Sequence, residues 1–196
     1  DASSALIQNN LIYKDQGYYA IAMHNHGDIS SITIMNNTID SCSNGALAIF
    51  TDEATIINNS ITNTLSRELL WLEGSGQIID YNNFWNNYQS FDPGNHGISV
   101  NPLYIDPSSG NYSLNVNSPL IDAGDPDPIY NDPDGTRNDM GAFYYHQGNK
   151  PPTIDAILPL TVDESDTVFL SVMATDIDGI VVSLEAIGIP DGSNFA

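Results

Sequence analysis

The sequence predicts an all-β solenoid, and two observations carry the prediction. An Asn pair recurs at Asn9-Asn10, Asn36-Asn37, Asn58-Asn59 and Asn82-Asn83, and the second members are separated by 27, 22 and 24 residues. Around every pair lie short apolar runs of strand length, with no amphipathic segment long enough for a helix. A period of about 24 residues with two or three strands per period is the mark of stacked coils.

The first strand of a period precedes the pair, as in SITIM (Ser31 to Met35), ATII (Ala54 to Ile57) and QIIDY (Gln77 to Tyr81). The second starts just after it and carries Ile12, Ile39, Ile61 and Trp85 two residues beyond the second Asn, so Trp85 reads as core. The third is the apolar run in YYAIAMHNHGD (from Tyr18), GALAIFTDEA (from Gly45) and RELLWLEGSG (from Arg67), which start at the same offset from the pair. A leucine-rich repeat competes, because ITIMNNTI (Ile32 to Ile39) fits its core pattern, but it needs a Leu-rich consensus and leaves the third run without a role. A parallel β-helix uses all three.

That architecture explains the Asn pairs. Asn is depleted in strands but tolerates positive φ better than other non-glycine residues. Each pair therefore marks a corner. Asn10, Asn37, Asn59 and Asn83 are expected to form a ladder of amides, one per coil, at the strand spacing of about 4.8 Å. Asn36, Asn58 and Asn111 also begin N-x-S/T sequons, which read as incidental where the Asn serves a ladder.

After Val100 the composition shifts to Pro, Asp and Gly. Tyr104-Ile105, DPSSG and Tyr112 to Val116 read as a hairpin, and Asp139 to Tyr145 as a last strand. A solenoid needs its open core covered, so residues 101–147 are the expected cap. The run NPLYIDPSSGNYSL, SPLIDAG and DPDGTRNDMGAFYY resembles the closing segment of bacterial secreted right-handed parallel β-helix proteins of the pectate-lyase-like kind. The resemblance covers roughly residues 5–147 and implies a right-handed β-helix in an extracellular or cell-surface protein, without an activity.

Residues 148–152 read as a linker. Residues 153–196 carry alternating segments at Thr167 to Ala174 and Ile180 to Ala186, and PPTI, TVDESDTV, ATDIDG and IPDGSNF resemble the first half of immunoglobulin-like or cadherin-like modules. A whole sandwich of that type needs about 100 residues. The expectation is a partial Ig-like β-sandwich, cut short or completed by strands of another chain.

Charge narrows the function. The chain carries 25 acidic against 4 basic residues, a net charge of −21, which leaves too few cations to neutralise nucleic-acid phosphates or to hold an anionic membrane. No apolar run approaches the ~20 residues of a membrane span. The single cysteine, Cys42, reads as a small packed residue.

Candidate chemistry falls into three groups. Asp132, Asp134 and Asp139 lie around a turn, and Asp176 and Asp178 with Glu164 resemble the calcium carboxylates of cadherin-like modules; hard oxygen ligands suit Ca²⁺. Gap-free offsets stack His24, Thr51 and Glu73 on successive coils, and likewise His26 with Glu53 and Tyr18 with Arg67. That column could supply acid, base and a cation for a uronate, or could be a solvated polar face. Third, Tyr13, Tyr18, Tyr19, Trp71, Phe84, Trp85 and Tyr88 lie on the solenoid, and exposed rings stack on sugars. The expected role is structural, assembling or polysaccharide-binding, with polysaccharide or neighbouring subunits as partners. Homo-assembly could run through solenoid ends or through strands that complete the partial module. The alternative is the C-terminal part of a polysaccharide lyase or glycoside hydrolase whose catalytic coils lie upstream.

Overall fold

A computed structural model describes residues 3–24, 29–65, 68–148, 152–157, 163 and 171–175. The chain divides into two units, Asp1–His146 and Gln147–Ala196. In the first, every coil lays down strands in the order the apolar runs dictate. Coil one holds β1 (Ser3–Gln8), β2 (Leu11–Tyr13) and β3 (Tyr19–His24); coil two β4 (Ile29–Met35), β5 (Thr38–Asp40) and β6 (Gly45–Phe50). Coil three holds β7 (Glu53–Ile57), β8 (Ser60–Thr62) and β9 (Leu70–Glu73), and coil four begins with β10 (Gly76–Asp80) and β11 (Asn83–Trp85). Corresponding strands pair in parallel to give three sheets, β1-β4-β7-β10, β2-β5-β8-β11 and β3-β6-β9.

Like residues stack on like. Ile7, Ile34, Ile56 and Ile79 form one inward column. Ile12, Ile39, Ile61 and Phe84 form a second on the short sheet, and Ile21, Leu47 and Leu70 a third. They meet in one core in which Ile34, Ile39, Ile56, Ile61 and Leu47 have no exposed surface. Burying one such side chain is worth about 1.5–3 kcal/mol, so one repeated position stabilises the stack several times over.

The Asn corner divides its two residues between two tasks. The first member, Asn9, Asn36 or Asn58, has φ of 57°, 52° and 59° and turns the chain. The second points inward. Asn10 Nδ2 donates to Asn37 Oδ1 at 2.9 Å, Asn37 Nδ2 to Asn59 Oδ1 at 3.0 Å and Asn59 Nδ2 to Asn82 Oδ1 at 3.0 Å. The same amides donate to carbonyls of the strands they leave, Asn37 to Met35 and Asn59 to Ile57.

The fourth rung is Asn82, not the expected Asn83. In the fourth coil the positive φ, 51°, belongs to Tyr81, so the pair Asn82-Asn83 stands one residue out of phase with the other three. The strand register carries the shift on: Asn83 pairs with Ser60 and accepts from Val100 N. Phe84 takes the inward position opposite Ile61, and Trp85, expected in the core, is only partly buried opposite Thr62. A second column of positive φ, at Lys14, Ser41, Asn63 and Asn86, turns the chain after the short sheet.

The closing segment does not work as expected. Residues before it cover the last coil: Phe91 packs on the core beside Phe84, with ring centroids 6.2 Å apart, and Ile98 bridges to Asn83. Residues 101–146 then run back along the flank of the stack as a strap. Its hairpin is the expected one, β12 (Tyr104–Asp106) antiparallel to β13 (Asn111–Leu114) around a 3-10 turn at Pro107–Ser109. The expected last strand, Asp139 to Tyr145, is irregular. Its backbone groups serve the corner instead of a sheet, with Gly141 N donating to Asn58 O at 2.8 Å and Ala142 N to Thr38 Oγ1 at 2.9 Å. Gly141 has φ 111°, and a Cβ there would lie 2.9 Å from Thr38 Oγ1.

The described part of the second unit is a short antiparallel pair, β14 (Thr153–Ile154) with β15 (Ala174–Thr175). Of the strands expected there, Ile180 to Ala186 and the first half of Thr167 to Ala174 lie outside the described residues.

Asn59 is the test of the ladder, because its side chain takes part in five hydrogen bonds, to Asn37 N and Nδ2, Ile34 O, Ile57 O and Asn82 Oδ1. At about 1 kcal/mol net per bond, Asn59→Ala is expected to destabilise the first unit by roughly 4 kcal/mol in urea unfolding. Asn10→Ala, at the exposed end, is expected to cost under about 1.5 kcal/mol by the same measure.

Candidate functional site

The outer face of β3-β6-β9 gathers the aromatic residues. Trp71 stands opposite Ala48, which stands opposite Ala22. Ala48 is only 1% exposed, and the rings lie around it. The Phe50 ring meets Trp71 edge-on at 5.0 Å, and the Tyr19 ring lies 6.4 Å from Trp71. Trp71 is 42% exposed and Tyr18, next to Tyr19, is 89% exposed. Gly45 makes room for this packing: a Cβ there would lie 2.1 Å from the Tyr19 ring. Tyr19 Oη donates to Glu68 Oε2 at 2.9 Å; burial, this bond and the Glu68 charge push the phenol up to about 12. The phenol thus stays protonated and keeps the bond, and the ring is held in place.

The expected acid–base column is not formed as drawn. The register sets His24 opposite Phe50 and Phe50 opposite Glu73, so Thr51 is not between them. The reason is a turn. From Tyr13 to Tyr19 is six residues, but from Asp40 to the matching Gly45 is five, so the gap-free offset fails in coil two. Thr51 is 2% exposed and donates to Glu53 O. Glu53 begins β7 on another sheet, paired with Ser31 and Gly76. His26 and Arg67 lie outside the described residues.

The carboxylates at 132–139 are turned into the strap. Asp132 accepts from Asn138 Nδ2 at 3.2 Å and Asp139 N at 2.9 Å. Asp139 accepts from Asp122 N at 2.7 Å and Tyr145 N at 2.6 Å. Asp134 accepts from Thr136 and lies 3.2 Å from His146 Nδ1. Burial first, then the charge of Asp139, pushes Asp132 up to about 7; burial pushes Asp139 up to about 6 despite its two backbone donors. Among the described residues no group of three or more His, Cys, Asp or Glu is disposed to hold a metal ion. Glu164, Asp176 and Asp178 lie outside them.

Two polar centres had no signal in the sequence. Asp40, 3% exposed, accepts from Ser41 Oγ, Thr62 Oγ1, Asn63 Nδ2 and, at 2.8 Å, Tyr112 Oη. It ties the strap to coil two, and the Tyr112 ring packs between Tyr13 and Tyr104. At the covered end His96 stacks on Tyr81 at 4.7 Å and bonds Asp80 through backbone N and Nδ1. Burial raises Asp80, but the His96 and Tyr81 hydrogen bonds outweigh it and hold the carboxyl below its usual range. Cys42 is 1% exposed, and burial pushes its thiol up to about 11, as suits a packed residue and not a nucleophile.

Stacked parallel coils with an inward Asn ladder define a β-helix. Residues 1–122 match the family model for the right handed beta helix region, and the chain belongs to that family. No curated protein matches it.

A carbon-13 titration of the side-chain carboxyls is expected to give midpoints of about 7 for Asp132 and about 6 for Asp139. Both values lie above the 3.8 of an ordinary Asp, so between about pH 4 and 7 the unfolded chain binds fewer protons at these sites than the folded one. Their contribution to stability is therefore full at low pH and falls as pH rises through that window. Midpoints near 4 for both would refute the buried environment.

Proposed function

We propose that this chain is a polysaccharide-binding segment of an extracellular protein, with the β-helix as its rigid scaffold. The observation that carries the reading is the Tyr19–Trp71–Phe50 cluster on the outer face of β3-β6-β9. Rings fixed by their neighbours, with Trp71 still 42% exposed, suit stacking on the apolar face of a sugar, because they lose little freedom on binding. Phe50 separates His24 from Glu73 by a full strand on either side, about 9–10 Å across two spacings. The extracellular setting rests on the sequence resemblance. With a net charge of −21, polyuronates are repelled, and neutral glycans are the favoured class.

Affinity electrophoresis in gels containing neutral glucan, xylan, alginate or polygalacturonate tests the reading. Retardation is expected in a neutral glycan, and Trp71→Ala is expected to weaken it at least about 10-fold in protein that circular dichroism shows to be still folded. Release of unsaturated product from the uronates would move the function to the lyase alternative.

A further inference from the structure

Where the strap reaches the first coil, it leaves a crevice of about 360 Å³ between the corner of the stack and residues 129–144. Its floor is polar but already bonded: Asn36 Nδ2 donates to Asn138 Oδ1 at 3.0 Å, and Asn138 Nδ2 donates to Asp132. Its rim is different. Asn9 occupies the same corner position as Asn36 and Asn58, whose side chains the strap engages. The Asn9 side chain, by contrast, makes no hydrogen bond to another described residue, nor do the Gln8 amide and the Tyr130 and Tyr144 phenols. All four line the crevice together with Met35 and Ile129. Tyr144 is 41% exposed and Ile129 76% exposed, so the rim is open to solvent.

We propose that this crevice is a binding site for one neutral pyranose ring, held by the Asn9 and Gln8 amides and by the Tyr130 and Tyr144 side chains. The volume is at the small end of ligand sites, which run from about 300 to 1,000 Å³. Each amide offers a donor and an acceptor, the pattern that vicinal hydroxyls match, and each phenol can do the same or present its ring. No Lys or Arg lines the crevice, so a uronate or phosphate would find no counter-charge. Asp132 is 7% exposed and its carboxyl is turned to Asn138 and Asp139 N, so it presents little surface to an ammonium group. A neutral polyol ring is what remains. The crevice lies at the corner joining the first and second sheets, on different residues from the aromatic face of the third, so it stands or falls separately from the function proposed above.

The test uses the full chain and nitrogen-15 spectra of the side-chain amides. Glucose, galactose, mannose, xylose, N-acetylglucosamine, galacturonate and glucosamine are titrated one by one. At least one neutral sugar is expected to shift the Asn9 and Gln8 amide signals with a dissociation constant in the millimolar range, ~1–20 mM. Asn9→Gly keeps a residue that accepts positive φ and removes the amide; Tyr144→Phe keeps the ring and removes the hydroxyl. Each is expected to weaken binding about five-fold or more, whereas Trp71→Ala leaves it unchanged. Shifts from none of the neutral sugars at ~50 mM, tighter binding of galacturonate or glucosamine, or unchanged binding in both crevice variants would overturn the proposal.

Discussion

The first unit depends on one corner. Wherever a coil passes from its first strand to its second, one residue takes positive φ and the next turns an amide into the core. Either event alone would be weak. A left-handed residue costs free energy, about 1–2 kcal/mol for a side chain without local hydrogen bonds, and a buried amide is costly unless satisfied. Together they offset each other. The turn places the amide where it meets the amide above, the amide below and carbonyls on both coils, so a buried polar group becomes a tie between layers. Because the tie repeats, the three apolar columns are brought into register by polar atoms, and packing need not choose among slipped alternatives.

The outward residue of the corner is as consequential as the inward one. Asn36 and Asn58 face away from the core and would read as surface positions. The strap closes over both: Asn138 and Asp139 receive the Asn36 amide, and Asp125 N donates to Asn58. Asp40 does the same on the neighbouring sheet through Tyr112. The flank of the stack is therefore a bonded surface, and a second apolar cluster of Leu114, Leu120 and Met140 packs beneath the strap. The crevice at Asn9 lies where this coverage ends.

Much of this fold was legible in the sequence because the repeat is written in residues that strands avoid. Asn pairs between Ile-rich runs announce corners, and corners announce coils. The phase of the fourth coil was not legible, since Asn82-Asn83 offers two candidates for one rung and only the strand register chooses. The aromatic face was half legible: Trp71 and Tyr19 could be named, but their meeting depends on a turn in coil two that is one residue shorter, and that same residue dissolved the His24–Thr51 pairing. The bonds of the strap were out of reach. Asn36 and Asn138 are separated by 102 residues, and no local pattern joins them.

The strap also measures the stack. It is anchored at Tyr81 by Arg137, at Asn58 and Ser60 in coil three, at Asp40 and Asn36 in coil two, and beside Tyr13 in coil one. The strap crosses the flank more than once: Tyr104 and Asp125 both reach coil three, Tyr112 reaches coil two, and Arg137 reaches coil four. A solenoid can ordinarily gain or lose a coil by duplication with little harm, because each layer sees only its neighbours. Here a coil inserted among the four would part, by about 4.8 Å, anchors that the strap now holds together. The strap thus acts as a ruler for the four coils it spans.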